Sequence, residues 1–568
     1  MDIKFNITGA EAITLALIEE GVDTVFGYPG GNNLPVYDSF YVHENEIRHV
    51  LVRHEQGAVH AAEGYADASG KTGVCMVTSG PGATNLLTGI ADAQLDSVPV
   101  VCITGQVVKP QLGYDAFQET DVVGFSMPVT KWNYQITTAS EIAEIMSKAF
   151  YIARSGRPGP VLIDITKNAQ TEIIPRFEYK KCTKIRSYHP KLKPSETALN
   201  EAAALLNNAK KPFMVIGHGV QLSGCQKEVK ELAEKIGMPV ASTLLGLSSV
   251  ENENPLFAGM VGLHGNYAAN MMTNQCDVLI AVGMRFSDRV VGNPEKYANQ
   301  ASIIHIEIDP SEVGKIISPA VSIISDAKSA LQKILPLIRK SSHVSWLDEM
   351  RKFQAKENET VINENLSKLR MGRVVRTVSE KKSGSAVVVT DVGQNQMASA
   401  RYFKFQDGDA VITSGGLGTM GFALPAAIGA SYAKKFQNVL CIMGDGGFQM
   451  TIEELGAVMQ YRLPVKMVLL NNNYLGMIRQ LQDLYYNSHY YFGEMQNPDF
   501  VKIADAYGIP AEKITNLENL DSAVERMLKT NGAYFLEVQV EKQENIYPVI
   551  PAGKAVDEML LTPEDKTE

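Results

Sequence analysis

Short runs of β-branched and other apolar residues, each followed by a stretch of helical character, recur along the whole 568-residue chain. This alternation is the strongest constraint on the fold, because parallel strands need long crossover connections and those are usually helices. "DTVFG", "RHVLV", "GVCMVTS", "VPVVCITG" and "PVLIDIT" make a first group, and "PFMVIG", "CDVLIAVG" and "SIIHIEID" a second. "SAVVVTD", "VLCIMGDG", "VKMVLLNN" and "YFLEVQV" make a third. The expected fold class is therefore α/β, with three doubly wound parallel-sheet domains over residues 1–180, 190–340 and 365–550 and a tail over 551–568. Residues 176–198, basic and bearing prolines, and 341–370, polar and strand-poor, read as linkers. Thr8 and Glu11 stand at capping-box spacing at the head of the first helix, and Gly21 closes it.

Composition removes several classes of function. A net charge of -10 with no basic stripe argues against a nucleic-acid partner. No apolar stretch approaches the roughly 18 residues of a membrane span. The first residues carry one early lysine and then acids, unlike a secretory signal. Six cysteines form no CxxC pair and mostly lie in apolar runs, which fits buried free thiols in a reducing, cytoplasmic setting.

In doubly wound sheets ligands bind beyond the carboxyl ends of the strands. Two strand ends stand out. "VLCIM" runs into Gly444-Asp445-Gly446-Gly447, and "VKMVLL" into Asn471-Asn472. Thr451 and Glu454 are spaced to cap the intervening helix. If the two strands are neighbours in a right-handed βαβ unit, Asp445 and Asn472 converge on one sheet edge. A carboxylate with an amide oxygen suits a hard divalent cation such as Mg2+, whose shell is often completed by phosphate oxygens. The glycines permit close approach of a diphosphate. A lone GDG is more often a plain tight turn; its pairing with a second strand end carries the reading. The third strand end is upstream, where "RHVLVRHEQG" ends a strand and opens a helix at Glu55.

The GDG followed by NN after about two dozen residues resembles the signature of thiamine diphosphate enzymes. Several longer stretches resemble the catalytic subunits of acetohydroxyacid synthase. Among them are "TSGPGATNLLTGIADAQLDSVPVVCITGQV", "LHGNYAANMMTNQCDVLIAVGMRFSDRVVG" and "SGGLGTMGFALPAAIGA". The similarity runs from about residue 8 to residue 555. It implies a pyrimidine-binding first domain, a central FAD-binding Rossmann-like domain and a diphosphate-binding third domain. It also implies pyruvate and a second 2-keto acid as substrates and a homodimer or homotetramer, and leaves open whether a regulatory small subunit joins it.

Carried over residue by residue, the resemblance makes Glu55 the carboxyl that activates thiamine diphosphate held by another subunit. It makes Asp445, Asn472 and the Tyr474 carbonyl the Mg2+ ligands. Gly31, Gln394, Asn395, Gly418, Gly444, Gly446, Gly447 and Met477 fall at cofactor-binding positions, and Met420 matches the residue that bends the cofactor. Arg289 matches the arginine receiving the second substrate's carboxylate, for which a guanidinium's planar fork is suited. Gln118 and Lys167 match further catalytic positions, and Phe117 a channel position. FAD is implied at Arg157, Gly217, Gly219, His264, Gly265, Arg285, Glu307, Asp309 and Asp326. By itself "GHGVQLSG" is a weak glycine loop and not a dinucleotide fingerprint.

Three positions depart from the family. Leu481 stands in place of a tryptophan that favours 2-ketobutyrate as acceptor, Asn395 in place of a histidine, and Asn32 in place of a small apolar residue in the substrate channel. These leave one alternative open: a related carboligase that delivers the acetyl unit to another acceptor, such as a keto sugar.

Overall fold

The structure, a computed structural model, describes residues 3–567 apart from Lys191 and Lys434. Three six-stranded sheets, wholly parallel, form the frame. The first has the spatial order Arg48–Leu51, Thr24–Gly27, Gly73–Val77, Val100–Gln106, Val161–Thr166, Trp132–Ile136. The third runs Ala410–Thr413, Ala386–Thr390, Asn438–Gly444, Val465–Asn471, Tyr534–Gln539, Ala511–Ile514. Counted by appearance within each sheet, both orders are 2-1-3-4-6-5. The middle sheet runs Phe257–Met260, Val240–Ser242, Pro212–Ile216, Val278–Val282, Ser302–Glu307, Val321–Ile324, which is 3-2-1-4-5-6, the order of dinucleotide-binding folds.

Central strands such as Val278–Val282 are buried throughout and read as continuous apolar runs, while Val161–Thr166, equally buried, admits Asp164, which accepts from Thr104, Gln106 and Gln135. Strands that sequence reading passed over lie mainly at edges: Trp132–Ile136, Phe257–Met260, Val321–Ile324, Ala410–Thr413 and Ala511–Ile514. A separate antiparallel pair, Lys4–Thr8 with Ile173–Phe177, ties the chain start to the end of the first domain. Thr8 does cap the first helix, its hydroxyl accepting from the Glu11 N–H at 3.1 Å.

The stretch 341–370 is more than a connector. It contains the helix Val344–Glu357, whose buried Trp346 donates from Nε1 to the Pro212 carbonyl at 3.0 Å. The tail also returns to the middle domain, where Val556 and Met559 are buried against its core.

The first and third domains meet through the helices Glu55–Ser69 and Ala423–Tyr432. They cross at backbone distance. A Cβ on Gly429 would sit 1.8 Å from the Ala61 carbonyl oxygen, and one on Gly64 2.0 Å from that of Ala426. Backbone cannot yield as a flexible side chain can, so Gly429→Ala must force the helices apart. We expect it to cost about 1–3 kcal/mol, read as a lowered thermal midpoint by circular dichroism. A variant melting with the wild type would contradict this crossing.

Candidate active site

The third domain places its predicted residues as expected. Asn438–Gly444 and Val465–Asn471 are adjacent parallel strands with Gly444 opposite Leu470, so Asp445 and Asn472 leave the same sheet edge. Gly444-Asp445-Gly446 is a strand-to-helix junction, since the strand runs through Gly444 and a helix starts at Asp445. Asp445 is buried, and burial pushes its carboxyl up to about 6. Asn472 Oδ1 accepts from the Tyr474 N–H at 3.1 Å, which fixes the amide oxygen's direction. Gln394 Oε1 accepts from Asn472 Nδ2 at 3.3 Å, joining two predicted residues.

The glycines are needed for space. A Cβ on Gly447 would lie 2.1 Å from Asp391 Oδ1, one on Gly444 3.1 Å from Asn395 Nδ2, and one on Gly446 2.8 Å from Leu475 Cδ2, with Met420 Cε in ordinary contact at 3.4 Å. Met420 therefore overhangs the GDG junction. Gly418 adopts a positive φ of 77° in the loop leading to it.

Thr451 and Glu454 form no capping box. The Thr451 hydroxyl donates to the Gly421 carbonyl at 2.9 Å. Glu454 Oε1 crosses to the first domain and accepts from the N–H groups of Arg53 (2.8 Å) and His54 (3.1 Å), just ahead of Glu55. Those orphan N–H groups at a helix start outcompeted the local cap.

The first domain builds a second cluster around residues 79–85, beyond the strand Gly73–Val77. Glu55 Oε2 accepts from Asn85 Nδ2 at 2.9 Å. Asn32 Nδ2 donates to Ser79 Oγ at 2.6 Å, and Gln118, at a positive φ of 60°, lies against Gly80. Lys167 opens the short helix Lys167–Thr171 at a nearby strand end. Gly31 faces open space, and Phe117 is 87% exposed. Among the described residues no hydrogen bond joins Glu55, Asn32 or Gln118 to Asp445, Asn472 or Gln394.

A cavity of about 1130 Å³ is lined by residues of all three domains. Its walls include Arg157, Gly219, His264, Arg285, Glu307 and Asp326 from the predicted flavin set. Arg289, Gly418, Met477 and Leu481 line it too. Gly217, Gly265 and Asp309 stand behind this wall. Gly217 N–H donates to the Val282 carbonyl at 3.0 Å, the Gly265 carbonyl accepts from Arg401 Nη1 at 2.7 Å, and Asp309 pairs with Arg157 at 3.4 Å. Gly219 packs against Gly283 at the switch point between Pro212–Ile216 and Val278–Val282. Burial lowers His264 to about 4 and raises Glu307 to about 7. His264 Nδ1 and Ser325 Oγ are buried on this wall without a partner, as a polar ligand would require. Volume, basic side chains and orphaned polar atoms fit FAD. The oxygen edge of Asp445 and Asn472 fits Mg2+ with a diphosphate.

Sequence reading missed Asn497, whose Nδ2 donates to Asp445 Oδ2 (2.6 Å) and Asn471 Oδ1 (3.0 Å). "QNPD" resembles any turn, so no local signal marked it. Asp391, gripping the N–H groups of Gly421 and Ala423, could have been found by the strand-end rule. The thiols are as expected: Cys75, Cys102, Cys225, Cys276 and Cys441 are buried and Cys182 half-buried.

The repeated sheet order, the switch-point glycines and the acid–amide strand edge define a thiamine pyrophosphate enzyme. Family profiles agree: the N-terminal TPP binding domain matches residues 7–125, the central domain 199–334 and the C-terminal TPP binding domain 391–538. The acetolactate synthase large subunit of Lactococcus lactis subsp. lactis is 43% identical over 97% of this chain and 96% of its own. Acetolactate synthase isozyme 2 large subunit of Escherichia coli is 42% identical over 98% and 99%, respectively. The probable acetolactate synthase large subunit of Methanocaldococcus jannaschii is 43% identical over 96% and 94%. The chain belongs to the acetolactate synthase large-subunit family of thiamine pyrophosphate enzymes.

Without a cation, the ionised Asp445 carboxylate is a buried charge. A pKa raised from 3.8 to about 6 means a penalty absent below the unfolded value and fully present above pH 6, worth about 3 kcal/mol. Asp445→Asn should therefore raise the thermal midpoint of the metal-free protein at neutral pH while abolishing stabilisation by Mg2+ with thiamine diphosphate. A variant still stabilised by both would exclude Asp445 as a ligand.

Proposed function

We propose that this chain is the catalytic subunit of an acetolactate synthase, removing CO2 from pyruvate and joining the remaining two-carbon unit to a second 2-keto acid. The observation that carries the reading is one chain bearing both half-sites, Asp445–Asn472 on one domain and Glu55 on another, within full-length similarity to synthase large subunits. Nothing in those relatives' names favours a keto sugar acceptor.

Thiamine diphosphate, when bound, supplies an electron sink for the carbon that loses CO2. The chain's residues do the rest. Asp445, Asn472 and the Tyr474 carbonyl would hold Mg2+ and so anchor a diphosphate. Gln394, Asn395 and the N–H groups around Gly446 and Gly447 would line it, and Met420 would support the cofactor. Among the described residues Glu55 Oε1 takes no hydrogen bond, which leaves it available to a partner's aminopyrimidine. Arg289, its side chain 74% exposed toward the cavity mouth, receives the acceptor's carboxylate. The active unit is then a homodimer or a larger homo-oligomer. The designation "large subunit" among the relatives supports a small regulatory partner. Among the described residues no helix is long and apolar enough to cross a membrane; we propose a cytoplasmic location.

The purified chain with pyruvate, Mg2+, thiamine diphosphate and FAD is expected to form acetolactate; none formed would overturn the proposal. Glu55→Gln should slow turnover by about 10²–10⁴-fold, the usual range for a proton-transferring carboxyl. A loss under threefold would rule out that role.

Leu481 is 41% exposed on the cavity wall, where an indole would fill far more volume. Given equal pyruvate and 2-ketobutyrate, the enzyme should show little preference for the larger acceptor. Leu481→Trp should raise the larger product's share about tenfold. Wild-type product dominated by acetohydroxybutyrate would contradict this.

A further inference from the structure

The helix Leu87–Asp96 of the first domain ends where all three domains meet. Asp96 is buried, and its carboxylate grips the third domain's glycine loop with both oxygens: Gly415 N–H donates to Oδ2 and Gly416 N–H to Oδ1, each at 2.7 Å. One turn earlier, Asp92 Oδ1 accepts from the Ser414 hydroxyl at 2.7 Å. Ser414 Oγ in turn accepts from the N–H groups of Gly418 (3.0 Å) and Thr419 (2.8 Å), next to Met420. The loop carrying Met420 is thus held from the first domain of its own chain by charge-assisted hydrogen bonds. Only glycine admits the grip at 416, where a Cβ would sit 2.7 Å from Asp96 Oδ1 and 3.3 Å from Arg285 Nη2.

The same helix end carries the middle domain. His218 Nδ1 donates to the Asp96 carbonyl at 2.8 Å, since a carbonyl can only accept. Arg285 Nη2 and Arg157 Nη2 both donate to the Leu95 carbonyl, at 3.2 and 3.3 Å, and Arg157 Nε donates to Ser97 Oγ at 2.9 Å. Leu95, Asp96, His218, Arg285 and the 415–418 loop all belong to the wall of the 1130 Å³ cavity. A ligand there touches the groups that hold the helix end and, through Asp96, the loop over the thiamine half-site.

We infer that Asp96 is a positioning residue that couples the two cofactor sites: FAD in the middle cavity sets the affinity of the Gly444–Asn472 half-site for thiamine diphosphate by fixing the 414–420 loop. This rests on the reading of the cavity as a flavin site. It assigns the flavin a task needing no electron transfer. The path is physical and short: cavity ligand, Arg285 and Arg157, Leu95 and Asp96, Gly415 and Gly416, Ser414, Met420. Coupling between two ligands is reciprocal, so each must tighten the other by the same factor.

The test is calorimetric titration of thiamine diphosphate with Mg2+ into flavin-free and FAD-loaded protein, and of FAD into protein with and without thiamine diphosphate. In the wild type we expect FAD to tighten thiamine diphosphate about tenfold, and the reverse factor to match. Asp96→Asn, which turns an amide N–H₂ toward the glycine N–H groups, should weaken thiamine diphosphate at least tenfold and erase the dependence on FAD. Gly416→Ala attacks the grip from the loop side without touching the helix, and should do the same even if the Asp96 variant fails to fold. FAD binding with no effect on thiamine diphosphate, or full coupling in a folded Asp96→Asn or Gly416→Ala protein, overturns the inference. Failure to bind FAD at all overturns the reading of the cavity and this inference with it. Intact coupling in a protein that makes no acetolactate upholds the inference and sinks the proposed reaction instead.

Discussion

The backbone contact between the helices Glu55–Ser69 and Ala423–Tyr432 governs how this chain can work. It locks the first and third domains together with no side chain between them at Gly64 and Gly429. The helix that begins with Glu55 is therefore rigidly placed against its own third domain. Glu454 adds a second lock, spending its buried carboxylate on the N–H groups of Arg53 and His54. Burial raises Glu454 to about 7, which shows how little water reaches that joint. With this placement fixed, Glu55 is held at a set position, its Oε2 accepting from Asn85 Nδ2, which supports the proposal that a second subunit's cofactor meets it.

Much of this was readable from the residues, and the reasons are physical. Buried central strands appear as apolar runs, so Val278–Val282 and Ala386–Thr390 were found within a residue or two. Edge strands have one neighbour and one wetter side, and Trp132–Ile136 or Ala511–Ile514 carry no such run. The metal edge was legible because a glycine-flanked acid and an asparagine pair end two successive strands. The middle cavity was legible only by resemblance, since its glycine loop lacks a fingerprint.

Long-range partnerships stayed hidden. Thr451 and Glu454 have the spacing of a capping box, yet each bonds to a distant segment, because tertiary donors were available that a local motif cannot reveal. Asp96 looks like an ordinary acid at a helix end, and Asn497 like part of a turn. Their significance lies in what the fold brings to them: two glycine N–H groups in one case, Asp445 in the other. The stretch 341–370 was misleading for a related reason. Its polarity belongs to one face of a helix whose Trp346 and Met350 are buried on the middle domain.

The first and third sheets share one strand order, 2-1-3-4-6-5, and the proposed reaction divides its residues between them, Glu55 on one and Asp445 with Asn472 on the other. A socket split in this way carries an arithmetic of its own. If every donor crevice must face an acceptor crevice from another copy, no chain completes a socket alone. The smallest closed arrangement is then a two-fold pair, in which each chain gives once and receives once.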